Sequence, residues 1–351
     1  MIQIALTYDD ILFTPLYSDI RSRKEVDLSP SIANWPGTKL TRPIVSSCMD
    51  TVTEVKTARK MEEFGGFGII HRYNTIRRQV ALLREHLDQS DKANVSVAVG
   101  ATGDYLERVH ALYEVGARSF CIDVAHGHHI LVKEAIAAIR DAYGREVHII
   151  AGNVASSEAA WDLATWGADA IRVGVGGGSI CATRIATGHG VPNIYAIEAA
   201  RAELDAYYAE AGRKVTLIAD GGIKTSGDIV KALGLGADMV MLGSMLAATD
   251  EAPGNTILGV DGQKYKEYRG MASPEAQNKW RGRVASVEGI SSLVKCKGPL
   301  SDVLMELDMG IRSGLSYSGA RTIAELQTKR VIVQQTSAGA HESSTHILSR
   351  A

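Results

Sequence analysis

The chain has 351 residues, 45% of them hydrophobic and 22% charged, with a formal net charge of −2. That length buries a substantial core, while that charge supplies no global field for nucleic acid or an anionic bilayer, so neither is an expected partner and any anion must be held locally. No stretch nears the ~20 apolar residues that span a bilayer, the opening "MIQIALTYDDILF" lacks the layout of a secretion signal, and Cys48, Cys121, Cys181 and Cys296 form no CxxC pair, so free thiols and a cytoplasmic location are expected.

In chain order, short β-rich apolar runs recur: "PIVSSC" from 43, "FGIIH" from 67, "VSVAVG" from 95, "SFCIDVA" from 119, "VHIIAGN" from 147, "DAIRVGV" from 169, "VTLIADGG" from 215 and "DMVMLGS" from 238. Segments of helical period separate them, among them "TARKMEEF", "YLERVHALYEVG", "HILVKEAIAAIRDAYG", "EAAWDLATWG" and "SGDIVKALGLG". Near-continuous apolar strands alternating with amphipathic helices require a buried parallel sheet. Eight such units predict an α/β fold, a single (β/α)8 TIM barrel over 1–351 whose reactive groups follow the strand ends; an open doubly wound sheet is the alternative. Two joins are too long for turns: a cysteine loop over 174–193 and an excursion over 252–298, both candidate functional loops. A polar tail runs over 336–351.

The candidate site is read at those strand ends. "GVGGGS" fails as a dinucleotide fingerprint because the third glycine falls on Ser179. In a barrel, backbone N–H groups after strands seven and eight converge on a phosphate. Gly221, Gly222, Gly243 and Ser244 stand there, with Ser179 to complete the cup. Asp220 beside them suits ribose hydroxyls, so the expected ligand is a nucleoside monophosphate. Cys121, inside a strand, reads as a buried hydrophobe. Cys181 lies instead in a glycine loop, where backbone N–H groups and Arg184 favour the thiolate and Thr183 places a hydroxyl beside it. Such a thiol adds to an electron-poor purine carbon, and hydride passes at that carbon. A Schiff-base aldolase lacks its strand-end lysine here; a flavin-dependent barrel oxidoreductase shares the cradle. "HGHH" from 126 is a poor metal set without carboxylates at suitable spacing; His126 reads as a cofactor-side hydrogen-bonding group, and His128 and His129 as the start of a helix. "HRYNTIRRQ" reads as a helix face or subunit contact.

"LTYDDILF", "SSCMDTVTE", "GGFGIIHR", "AGNVAS", "GVGGGSICATRIATGHGVP", "IADGGIKTSGDIVKALGLGADMVMLGSMLAATDEAPG" and "YRGM" together resemble the inosine monophosphate dehydrogenase and guanosine monophosphate (GMP) reductase superfamily, over nearly the whole chain. The resemblance implies a barrel, usually tetrameric, in which Cys181 bonds to carbon 2 of the purine with Thr183 as its partner. It assigns Ser179, Gly222, Gly243, Ser244 and Tyr268 to the phosphate, Asp220 to the ribose, and the backbone around Met271 to the base. Ser47, Gly221, Gly270 and Ala272 join the substrate contacts; Asp123, Asn153, His126 and Met49 belong to the cofactor side. A monovalent cation, K+, is a further expectation at Gly176, Gly178 and Cys181. Gly177 departs from a common proline and Ala182 from a common threonine. The short join between "GIIHR" and "VSVAVG" leaves no room for the cystathionine-synthase-type insert of many dehydrogenases.

The two activities diverge after the shared covalent adduct. A dehydrogenase hydrolyses it with a flap carrying an Arg-Tyr pair, whereas a reductase expels ammonia with a Thr/Glu pair. The stretch "MASPEAQNKWRGRVASVEGISSLVKCKGPL" carries no Arg-Tyr dipeptide. Glu275 is the expected acid, although Pro274 falls where an ungapped comparison with some reductases puts it. "SSCMDTVTE", "TDEAPG" and "AGAHESSTH" look more like dehydrogenases, in which Arg281 or Arg283 would activate water. The flap is weighed most, and the expectation is an NADPH-dependent GMP reductase yielding inosine monophosphate (IMP) and ammonia. The alternatives are an NAD-dependent IMP dehydrogenase and a catalytically silent nucleotide-binding barrel.

Overall fold

The computed structural model describes residues 2–343 apart from 36, 91 and 92. An N-terminal strand β1 (Ile11–Phe13) precedes eight repeats: β2 (Ile44–Ser46) and α1 (Val55–Phe64), β3 (Phe67–Ile70) and α2 (Ile76–Leu87), β4 (Val95–Val99) and α3 (Tyr105–Glu114), β5 (Ser119–Asp123) and α4 (Ile130–Tyr143). They continue with β6 (His148–Val154) and α5 (Ser157–Trp166), β7 (Ala170–Val173), α6 (Thr183–Thr187) and α7 (Asn193–Ala211), β8 (Thr216–Asp220) and α8 (Ser226–Gly234), then β9 (Met239–Leu242). Strands β2 to β9 close into a parallel barrel, sealed where Ile44 pairs with Val240. All eight apolar runs of the sequence are barrel strands, and α2 alone joins β3 to β4.

Strand alternation sorts the core into two layers. Ile44, Ile70, Val97, Phe120, Ile122, Ile171 and Leu217 point outward and pack with the helices. Val45, Phe67, Ile69, Ala98, Cys121, Ile150, Ala170, Ile218 and Met241 fill the lumen, which Trp35 and Leu40 plug from below. Two residues further along the same inward faces stand Asp123 after Cys121, Arg172 after Ala170, Asp220 after Ile218 and Gly243 after Met241. The pleat thus raises these four to the carboxyl rim.

The long joins are structured. The cysteine loop is closed at its base by a Val175–Val191 bridge and contains α6, and α7 begins at Asn193. The excursion folds as β10 (Ile257–Leu258), β11 (Lys264–Arg269), α9 (Pro274–Arg281) and β12 (Ser291–Lys295), with the three strands in one antiparallel sheet. α10 (Leu300–Tyr317) and α11 (Ile323–Lys329) follow, and β13 (Ile332–Gln334) pairs antiparallel with β1. The tail read as merely polar begins with a helix, α12 (Ser337–Glu342), capped by the Thr336 hydroxyl; residues 344–351 lie outside the described residues. Among the described residues no helix is long and apolar enough to cross a membrane.

Candidate active site at the carboxyl end of the barrel

A cavity of about 470 Å³ opens at this rim. Its floor is an ion network. Arg172 donates to Asp123 Oδ1 at 2.8 Å and to Asp220 Oδ2 at 2.9 Å. Asn153 Nδ2 adds a bond to the same Asp220 oxygen at 2.8 Å, and the Tyr73 hydroxyl donates to Asp123 Oδ2 at 2.9 Å. Burial opposes ionisation of Asp123, but Arg172 and Arg72 outweigh it and hold its carboxyl below the ordinary range. Arg172 also reaches the buried thiols of Cys48 and Cys121 at 3.6 and 3.5 Å. Cys121 is buried as expected, yet it belongs to this network.

Over the floor hangs the cysteine loop. Cys181 is exposed, and its thiol donates to Thr183 Oγ1 at 3.2 Å. The loop departs through Gly174, where a Cβ would stand 1.9 Å from the Asp220 carbonyl oxygen. It returns at Asn193, whose amide donates to the carbonyls of Asp220 and Gly221. Arg184, expected to favour the thiolate, does something else: its guanidinium donates to Val191 O at 2.6 Å, and its stem lies over Gly176 and Gly190. It ties the base of the loop rather than facing the sulfur.

The cup sits opposite. A Cβ on Gly243 would lie 2.9 Å from the Tyr268 hydroxyl and 3.1 Å from Ser47 Oγ, and Ser47 Oγ is buried without a partner. Burial pushes the Tyr268 phenol up to about 12, against a hydrogen bond with Ser179. Gly221, Gly222 and Ser244 complete the lining.

The excursion is a flap. Its stem pairs Tyr268 with Ser292 and Arg269 with Ser291. Its tip carries α9, which starts on a Ser273 cap with proline in the first turn and stops at Gly282 with φ 69°. Buried Gln277 staples the tip, donating to Ala272 O and Ser286 O at 2.9 and 2.8 Å and accepting from Ala285 N at 2.8 Å. The returning strand zips onto the cysteine loop, Ala182 N donating to Glu288 O at 2.8 Å and Ile290 N to Ile180 O at 3.1 Å.

Cys181, Thr183, Ser47, Met49, Asp123, Asn153, Gly176, Gly178, Ser179, Asp220, Gly221, Gly222, Gly243, Ser244, Tyr268, Gly270, Met271 and Ala272 all line this one cavity. Two expected site residues do not. Glu275 is exposed on the first turn of α9, where its own backbone N–H and Ser291 hold its carboxyl low; the flap acid that lines the cavity is Glu288. His126 is exposed beyond the lining, its pKa lowered by partial burial and by His128 and His129. His128 pairs with Asp162 at 2.8 Å and His129 caps α4. Among the described residues no group of three metal-ligating side chains forms.

Residues 5–346 match the family model described as the IMP dehydrogenase / GMP reductase domain. The chain belongs to this family. Both names denote oxidoreductases. An inosine-5'-monophosphate dehydrogenase of Nitrosopumilus maritimus is 31% identical over 97% of this chain and 98% of its own. A GMP reductase of Leishmania major is also 31% identical, over 98% and 97%. Among solved structures, a GMP reductase variant of Trypanosoma brucei in complex with guanosine 5'-monophosphate superposes with a TM-score of 0.90 at 32% identity, covering 99% of both chains. Family membership is therefore shared with proteins of both activities.

Sequence reasoning missed several lining residues of this family member: Arg172, Arg72, Tyr73, Gln277, Trp280 and Glu288. Arg172 carried a signal, a lone charge on the inward register of an apolar strand. The flap residues carried none, because their approach depends on a hairpin folding back over the barrel.

Proposed function

We propose that this enzyme is a GMP reductase: GMP, NADPH and two protons give IMP, NADP+ and ammonium. The reading is carried by one observation, the exposed Cys181 thiol bonded to Thr183 and facing the Asp220 and Gly243 rims across a single cavity. Phosphate enters the cup of Ser179, Gly221, Gly222, Gly243, Ser244 and Tyr268, where the unpartnered Ser47 hydroxyl gains an acceptor. The ribose takes Asp220, whose bonds to Arg172 and Asn153 both fall on Oδ2. Glu288, held by Ala182 and Ala272 through its backbone, accepts from the N–H edge of a 6-oxopurine.

The thiol adds to carbon 2 and its proton passes through Thr183 toward the leaving amine, so that ammonia departs and the ring stays bonded to sulfur. The dinucleotide is a second substrate that supplies hydride when bound. Asp123, Asn153, Met49 and the buried, unpartnered Trp280 indole N–H fit the side of the cavity left for it. A reductase is favoured over a dehydrogenase because Arg281, the nearest candidate for a water-activating base, stacks on the Trp280 ring at 4.2 Å. The equal identity to a dehydrogenase keeps NAD-dependent IMP oxidation as the second reading.

Absorbance of the reduced nicotinamide, followed with GMP plus NADPH and separately with IMP plus NAD, decides between them. The expected result is consumption of NADPH with release of IMP and ammonia. Reduction of NAD by IMP, with no reaction of GMP, would make the enzyme a dehydrogenase.

A further inference from the structure

The side of the cavity where the Trp280 indole N–H is offered to the dinucleotide is an aromatic and cationic stack. Trp280 of α9 meets Tyr73 edge-on, ring centroids 5.1 Å apart. The Arg72 guanidinium lies 4.9 Å from the Tyr73 ring and 5.7 Å from that of Trp280, and Arg281 covers the indole from outside. All four line the cavity. Two of their donors are committed, Tyr73 to Asp123 Oδ2 and Arg72 Nη2 to the Asp123 carbonyl at 3.0 Å, while the buried Trp280 indole N–H has no partner. Asp123 is in turn held by Arg172. Among Trp280, Tyr73 and Arg72 none presents a base that could take a proton from water, and Arg281 is laid over the indole.

The ring bonded to Cys181 has two chemical fates. Hydride adds to carbon 2, the carbon–sulfur bond breaks and IMP leaves. Alternatively water adds to carbon 2, the same bond breaks with a proton returning to the thiolate, and xanthosine monophosphate leaves. The second route sums to GMP plus water giving xanthosine monophosphate plus ammonia, with no oxidation of the dinucleotide. We infer that the Trp280–Tyr73–Arg72 stack determines the product, keeping water from carbon 2 until hydride arrives. The inference rests on the reductase reading, and Gln277 staples the flap tip whose helix α9 carries Trp280.

Ammonia, NADP+ and xanthosine monophosphate are measured in one reaction of the whole enzyme with GMP and NADPH. The wild type is expected to release one ammonia per NADP+. Trp280→Ala and, independently, Tyr73→Ala raise that ratio to about two or more with xanthosine monophosphate appearing, and Trp280→Phe restores it. Folding is checked by the rise in melting temperature that GMP causes. A ratio that stays at one in both alanine variants, or loss of ammonia release in both, overturns the inference. Failure of the wild type to oxidise NADPH with GMP would instead overturn the reductase reading itself.

Discussion

Arg172 shows how one side chain organises the site. It stands on an inward register of β7 and is 6% exposed, so its charge is sustained by the carboxylates on either side. The pairing is reciprocal: without the guanidinium, Asp220 keeps only the Asn153 amide, and Asp123 only Arg72 and the Tyr73 hydroxyl. Breaking a buried ion pair from one side costs about 3–5 kcal/mol, and the partial exposure of the two carboxylates places the expected loss near the lower figure. Arg172→Met is therefore expected to lose about 3 kcal/mol in urea unfolding. A loss within about 0.5 kcal/mol, the range of ordinary surface changes, would show that the network is not what holds the floor together.

At the scale of elements, the proposed phosphate cup has β9, β11 and the β2 loop meeting at Gly243. Gly243 is needed for close approach, since any side chain there enters the space between Tyr268 and Ser47. Gly243→Ala is expected to raise the dissociation constant for GMP about tenfold, equivalent to roughly 1.4 kcal/mol, and to leave the unfolding midpoint nearly unchanged. Calorimetric titration measures it, and undiminished affinity would move the phosphate elsewhere. The flap belongs to the same scale. β11 and β12 make a stem, Gln277 makes the tip a single body, and the zipper to Ile180 and Ala182 couples that body to the Cys181 loop. A flap that carries the wall and a loop that carries the thiol thus share their backbone hydrogen bonds.

At the scale of the whole molecule, the barrel divides labour between its ends. The carboxyl rim is charged and open. The amino end is closed by Trp35, which meets Phe67 edge-on at 4.9 Å and stacks on His148 at 4.7 Å. Burial drives the His148 imidazole down to about 4 from 6.5, against the pull of Asp169. The folded pKa lies below the unfolded one, so the unfolded chain binds the proton first as pH falls. Stability is then unaffected above about 6.5 and declines toward pH 4, by about 3 kcal/mol from this group. Denaturation at pH 7 and pH 4.5 should show His148→Phe losing less stability on acidification than the wild type. An identical loss would remove His148 as a contributor.

Much of this was legible in the amino-acid order because it is periodic or local. Eight apolar runs at βα spacing determine a barrel, since parallel strands need helical returns and bury both faces. Glycines with Cys181 at a strand end determine where the chemistry sits, because every strand end of a barrel faces the same rim. Strand alternation would also have delivered Arg172. What only the tertiary structure decided was the flap. Glu275 reads as the acid from its place in the segment, yet the capped turn of α9 directs it outward and the returning strand brings Glu288 to the cavity. Tyr73 and Trp280 are some 200 residues apart in the chain. Contacts that depend on a hairpin closing over a distant surface leave no local pattern, because the energy that places them comes from packing between elements rather than within one.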